Sequence, residues 1–423
     1  MPQTDRPDQT SEPTVWRDTI LAGLANYIDS GSIVAGSAAL ALWAEAYGLS
    51  PTMLGFIGAF SANAISAGIG ALIGGVLCDR FGRKTIYQYD MLFYAFGMAW
   101  LVFATGPAMI VTGMILVGLA VGADIPASWS LIAEIAPDRQ RARFSGVAQI
   151  LWYLGPVVVL GLSLLLAPFG IDGMRIIFAH LLVIALGLTV MRRKMRESAT
   201  WSEAQAADTS GARADWRQLL QPRHLKSMAF LIGMYGFWNL WAGTNGFFFP
   251  YILRTVGGQS QIAALAIQGG MFGLGIVSIL LIFMRYSDRI NQRTLFMLSA
   301  LLQVGGMSLL AVLPLTGTVA VVHVVIMALA AGFGAQSFFQ LWSAELFPTL
   351  LRSTAQGITF AVVRIGLGIF SFFVPLLTAT GFHTLAWILV GFLATSAAIG
   401  WWGAPRNEGK TLGEIEAEQM ARA

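Results

Sequence analysis

Three ionisable side chains interrupt stretches of sequence that are otherwise apolar: Asp29, Asp124 and Arg364. A charge at mid-bilayer depth costs several kcal/mol, so each needs a partner and each is a functional candidate. Asp29 lies 13 residues beyond Trp16, Asp124 lies 12 before Ala136, and Arg364 lies 12 beyond Arg352. At the helical rise of about 1.5 Å per residue, all three reach roughly 18–20 Å from those edges, near the middle of a ~30 Å hydrocarbon core. A carboxylate at that depth can take up and release a proton as its surroundings change. Asp29 is the first candidate for that role and Asp124 the second; the alternative is a static pair that only orients helices. Arg364 can grip a carboxylate or phosphate with two parallel hydrogen bonds, or neutralise an aspartate. Asp90, six residues beyond Lys84, is shallower and is expected to be satisfied near the interface.

Positioning such groups takes long apolar elements, and the composition supplies them. Hydrophobic residues make up 56% of the chain and charged ones 11%, against roughly a quarter charged in soluble domains. That places the chain among all-α polytopic membrane proteins. Apolar segments are read at 17–44, 52–78, 85–105, 108–136, 144–168, 174–193, 227–253, 261–285, 293–314, 318–347, 353–380 and 384–403. Of the 26 lysines and arginines, Arg175 and Arg254 fall on the outer side and Arg364 inside a span, leaving 23 on the termini, the even-to-odd loops or the central linker. Cytoplasmic loops carry the positive excess, so both termini are expected in the cytoplasm of a multi-pass cell-membrane protein. The net charge of +4 is dispersed between apolar segments, which argues against a nucleic-acid partner. A single cysteine, Cys78, and histidines at 180, 224, 323 and 383 give no ligand-spaced set, so no metal or cofactor is expected. No H-E-x-x-H, G-x-S-x-G or Walker pattern is present, which argues against an enzyme and against direct ATP drive within this chain.

The frame AEIAPDRQRARFSG at 133–146 returns as AELFPTLLRSTAQG at 344–357. Ala133/Ala344, Glu134/Glu345, Pro137/Pro348, Arg141/Arg352 and Gly146/Gly357 all share one shift of 211, half the chain length. This is an internal duplication. It predicts twelve transmembrane helices in two six-helix pseudo-symmetric bundles, 16–193 and 227–404. Around them lie a disordered cytoplasmic tail (1–15), a linker with short helices (194–226) and a C-terminal tail (405–423). The basic linker is either solvated at anionic headgroups or a latch between the halves.

The loop from Gly74 to Lys84 (GGVLCDRFGRK) pairs glycines suited to close helix contact with Asp79, placed to accept hydrogen bonds from a neighbouring helix's amino end. It resembles the signature loop G-x-x-x-D-R-x-G-R-K of the major facilitator superfamily, with Asp288, Arg289 and Arg293 as a worn second copy. The paired hinges resemble the E-x-x-P-x-x-x-R loops of its sugar-porter branch. So do Arg196-Glu197-Ser198 with Trp201, and the tail Pro405 to Glu416 with Gly409 and Leu412. The resemblance implies cytoplasmic salt bridges among Asp79, Arg80, Glu134, Arg141, Glu345 and Arg352 that lock an outward-open state, with Arg83, Asp288 and Arg289 in the same gating set.

The chain departs from sugar porters where solute and proton are handled. Met114 stands at the proton-coupled arginine's position, and the span 7 pattern survives only from Asn239 to Asn245. Ala123-Asp124-Ile-Pro126 is similar to phosphate and organic-anion relatives, and Val363-Arg364-Ile365-Gly366 with Pro375 to organic-ion carriers. Neutral hydrogen-bonding candidates for the lining are Asn26, Tyr27, Asn63, Gln149, Trp152, Asn239, Asn245, Gln268, Gln336, Gln340 and Trp342. Together they favour a polyhydroxylated solute, although any one of them serves a helix–helix contact as well. The resemblance then implies a monomeric, proton-coupled importer of a sugar or polyol working by alternating access. The competing expectations are a proton-coupled carrier of an organic anion using Arg364, and a non-transporting sensor on the same scaffold.

Overall fold

The computed structural model of the chain describes residues 12–49, 51–137, 140–195, 197–208, 215–374, 377–378, 381–407 and 410–421, and every element among them is helical. The expected sequence marks at Arg196, Pro375 and Gly409 lie outside the described residues, as do residues 1–11 of the expected tail. The first half comprises α1 (Glu12–Tyr47), α2 (Pro51–Ala59), α3 (Ile65–Phe81), α4 (Arg83–Val102), α5 (Pro107–Ile135), α6 (Arg141–Leu165) and α7 (Gly170–Arg192). A short α8 (Ala199–Ala207) follows. The second half comprises α9 (Pro222–Thr255), α10 (Gln261–Ser278), α11 (Met284–Tyr286), α12 (Gln292–Val312), α13 (Gly317–Ala331), α14 (Ala335–Glu345), α15 (Arg352–Ser371) and α16 (Phe382–Gly403). Last comes α17 (Leu412–Ala421) on the C-terminal side. Counting α2 with α3, α10 with α11 through a π turn at Ile279–Phe283, and α13 with α14 as single spans gives six per half among the described residues.

Eight spans are long and apolar enough to cross a bilayer by length and composition. The other four have reasons in their sequences. Helices α1 and α9 carry buried polar residues toward the middle of the molecule (Asn26, Asp29, Ser30 and Ser32; Asn239, Thr244 and Asn245), which lowers their hydropathy. Helix α4 opens on Arg83-Lys84 and holds Asp90, and α3 has only 17 residues because its span is broken.

That break was not expected within 52–78. The Ser61 hydroxyl bonds the Gly58 carbonyl at 2.8 Å and the Ser66 hydroxyl bonds the Phe60 carbonyl at 2.7 Å. Local hydroxyl bonds of this kind offer the backbone an alternative to the helical ladder. The break between α13 and α14 is maintained likewise, with Ser278, Ser299 and Ser337 hydroxyls on the carbonyls of Leu329, Ala330 and Gly332. Unwound backbone inside a membrane protein is tolerated only where protein or a cavity satisfies it.

The halves meet along α3 against α15 and α6 against α10, with α5 and α14 completing the seam. A Cβ on Gly75 would stand 2.3 Å from the Ser353 carbonyl oxygen, and one on Gly357 2.2 Å from that of Ala71. Only glycine permits this approach of α3 and α15.

Candidate functional site

A cavity of about 50 Å³ lies between the halves, lined by Ser30, Asn63, Trp152, Trp238, Asn239, Gln336 and Arg364 among others. Asp29 sits behind it on α1, 4% exposed, with Trp152 Nε1 donating to its Oδ2 at 3.3 Å and its Oδ1 unpartnered. Arg364 enters from α15, and its Nη1 donates to the Asn63 carbonyl at 3.0 Å and to Asn63 Oδ1 at 2.6 Å. The broken span thus has a purpose at this point: it frees a carbonyl of the first half for a guanidinium of the second. Arg364 lies over the Phe360 ring at 4.6 Å, and its Nε has no partner. Arg364 and Asp29 act on each other through space, yet among the described residues no ion pair within 4 Å joins them. Arg364 is therefore neither locked to an aspartate nor fully satisfied.

Of the neutral candidates, Asn63, Trp152, Asn239 and Gln336 line this cavity, Asn239 with its Oδ1 unpartnered and Gln336 accepting from Tyr235 at 2.6 Å. Gln149 and Gln340 bond each other across the halves. The remainder point elsewhere. Tyr27 bonds His180 at 2.8 Å within the first half. Asn245 bonds the Met271 sulfur, and Gln268 the Gly246 carbonyl, both within the second half. Trp342 is fully buried and donates to Gln292 at 2.7 Å. Asn26 is buried on α1 with its amide nitrogen unpartnered and does not line the cavity. Trp238 and Phe272 join the lining from α9 and α10, unmarked by any motif.

Asp124, the second proton candidate, does not line the cavity and forms no ion pair with Arg364 among the described residues. Asp124 turns into the first bundle and pairs with Arg192 at 2.9 Å. Asp90, far from being satisfied at an interface, is buried beside them, 3.6 Å from the same guanidinium. Arg192 heads the basic run Arg192-Arg193-Lys194, so counting placed it at the edge of the linker, whereas it is 1% exposed.

Toward the Lys/Arg-rich side the halves are sealed in layers. Trp129 of α5 meets the rings of Phe339 and Phe360 edge-on, at 5.7 and 5.9 Å. Below it Ser130 donates to Gln356 and accepts from Ser353, both at 2.9 Å. At the rim, Glu134 receives Arg83 at 2.7 Å and Arg352 at 2.7 Å, while Glu345 receives Arg141 at 2.8 Å. Asp79 accepts the amides of Ser353 (3.2 Å) and Thr354 (2.7 Å) at the start of α15. Asp288 accepts those of Ala142 and Arg143 (both 3.1 Å) at the start of α6. The two clasps are mirror copies, each an acidic residue of one half on a helix amino end of the other. Arg83, fully buried, also reaches Asp79 at 3.2 Å. Arg80 and Arg289 stay exposed outside the network, Arg80 lying over the Phe81 ring. Outside the spans, burial lifts the Asp288 carboxyl above the usual carboxylate range, against the amides of Ala142 and Arg143 and the Arg141 charge.

The start of the linker grips the first half rather than bridging both. Glu197 accepts the amides of Arg83 and Lys84, each at 3.0 Å, and Trp201 donates to the Asp79 carbonyl at 3.0 Å. Gly82 makes room for it at φ 92°, where a Cβ would meet Glu197 Oε2 at 2.2 Å. The tail contributes Asn407, which donates to Glu345 at 3.0 Å.

The sequence profile of the Major Facilitator Superfamily matches residues 19–371. The chain is 47% identical to the minor myo-inositol transporter IolF of Bacillus subtilis, over 95% of this chain and 93% of that protein. It is 24% identical to the glucose transporter GlcP of Staphylococcus epidermidis, over 95% and 96% of the two chains. The fold is that of the proton:xylose symporter XylE bound to 6-bromo-6-deoxy-D-glucose, with a TM-score of 0.84 at 19% identity over 97% and 100% of the chains. Two duplicated six-span halves, closed by mirrored acid–helix clasps around a polar centre, belong to one family: the chain is a multi-pass membrane protein of the major facilitator superfamily, a transporter and not an enzyme.

Proposed function

We propose that this chain imports a cyclic polyol of the inositol class with protons, by alternating access of its two bundles, with both termini in the cytoplasm. The observation that carries the reading is the composition of the central cavity. Neutral amides (Asn63, Asn239, Gln336) and two indoles (Trp152, Trp238) surround it, with one carboxyl behind it and one guanidinium at its edge. Amides offer paired donors and acceptors to hydroxyls, and indole faces suit the apolar face of a ring. The 47% identity with a myo-inositol transporter supports that class.

Asp29 takes the proton in this reading. Trp152 ties it to the cavity wall, so loading the cavity changes what surrounds the carboxyl. One observation favours an anionic solute instead: Arg364 has no paired aspartate and an unpartnered Nε. Uptake into proteoliposomes under an inward proton gradient separates the two. Accumulation of labelled myo-inositol, abolished by a protonophore and not competed by carboxylates, is expected. Accumulation of carboxylates alone, lost in Arg364→Ala, would replace the polyol reading with the anion one.

A further inference from the structure

A second set of ionisable groups lies apart from the central cavity, inside the first bundle. It comprises Asp90 and Tyr87 on α4, Asp124 on α5 and Arg192 at the end of α7, all at most 6% exposed. Arg192 gathers the bundle around itself. Its Nη1 pairs with Asp124 at 2.9 Å, and its Nε and Nη2 donate to the Leu21 carbonyl of α1 at 3.2 and 3.0 Å. Its guanidinium covers the Tyr87 ring at 4.3 Å. Of the other groups near by, Cys78 on α3 acts on Tyr87 through space and Asp29 on α1 feels Asp124.

The charges do not balance. Two carboxyls face one guanidinium, and an uncompensated buried charge is among the costliest things a membrane bundle can hold. The hydrogen bonds do not balance either. Asp90 Oδ1 takes the Met91 amide at 2.5 Å, but Oδ2 has no donor, since Arg192 Nη1 is 3.6 Å away and the remaining neighbour is the Asp124 carboxyl, itself an acceptor. The Tyr87 hydroxyl, 1% exposed and one turn from Asp90, is also without a partner. A hydrogen on either carboxyl cancels the surplus charge and turns an acceptor–acceptor contact into a hydrogen bond.

We propose that Asp90 and Asp124 share one bound proton, which gives the first bundle a proton-binding site of its own beside the one at Asp29. The two sites are separate. Arg192 holds α1 at Leu21, eight residues before Asp29, or about 12 Å along a helix. They are also coupled, because Asp124 acts on Asp29 through space, so the charge carried by the pair is felt where the cavity proton binds. The two carboxyls titrate as a unit, and the proton belongs to the pair rather than to either residue.

The inference does not depend on which solute is carried or on Asp29 having any role. Infrared spectra of the full-length protein in lipid, in an Asp29→Asn background, read the pair directly. A protonated-carboxyl C=O band is expected at neutral pH and is expected to vanish in Asp90→Asn. Absence of the band in that background, or its persistence after Asp90→Asn, would overturn the proposal. Thermal unfolding gives a second reading. One carboxylate suffices for Arg192, so Asp90→Asn and Asp124→Asn each lower the melting temperature slightly, and the double variant lowers it by far more than their sum. Additive losses, or a single variant as damaged as the double one, would overturn the proposal.

Discussion

At the residue scale the structure turns on which charges are paired and which are left open. Glu134 is shared by Arg83 and Arg352, with both Glu134 and Arg83 side chains fully buried. Removing one partner of a buried pair costs about 3–5 kcal/mol, because the other charge is stranded. Because Glu134 keeps Arg352, Arg83→Ala should weaken the closed arrangement by less than that, whereas Arg80→Ala, which touches none of the network, should leave it intact; solvent accessibility of a cysteine at Ser130, in a Cys78→Ala background, reports the difference. Asp288 gives the closed state a pH dependence. Its carboxyl binds a proton more readily in this arrangement than in water, so its contribution favours closure at low pH and is lost as pH rises through the lifted value. Asp288→Asn should flatten that profile in the same accessibility assay, and an unchanged profile would remove Asp288 as its source. Counting residues from polar edges set Asp29 and Arg364 at one depth, and in the structure Arg364 lines the cavity while Asp29 bonds Trp152 of its wall. The same count misled for Asp124 and Arg192. Depth follows from helical rise, but the direction a side chain faces depends on how a helix is rotated against its neighbours, and that is set by packing. Two adjacent basic residues likewise hid Arg192, since composition alone assigns such a run to water.

At the element scale, the seam of α3 against α15 depends on glycines that no other residue replaces. The Gly357 Cα faces the Ala71 carbonyl so closely that a Cβ would lie 2.2 Å from its oxygen. Gly357→Val should push the two helices apart and leave the Ser130–Gln356 layer open, raising labelling of the Ser130 cysteine with little loss of expression. Unchanged labelling would show that the seam closes by another route. The repeat at 133–146 and 344–357 made the hinge helices legible in advance, because Pro, Arg and a helix-opening position recur in register. The breaks at 60–64 and 332–334 were not legible. Both occur within apolar runs, and what maintains them is a set of serine hydroxyls meeting carbonyls across space, which hydropathy does not register.

At the scale of the whole molecule, two related bundles meet around a polar cavity, sealed on one side by aromatic, hydroxyl and ionic layers in turn. The pairs Glu134–Arg352 and Glu345–Arg141, and the clasps of Asp79 and Asp288, are contacts that the duplication makes equivalent, whereas Arg83 on Glu134 and Asp79 belongs to the first half alone. In the proposed reading, the acidic group at the centre, held by Trp152, links the opening of that seal to protons. The measurement that tests this most directly compares the parent protein with Asp29→Asn in proteoliposomes. Proton-driven accumulation of myo-inositol should vanish in Asp29→Asn while exchange of internal for external myo-inositol continues. Undiminished uphill accumulation by that variant would contradict the account.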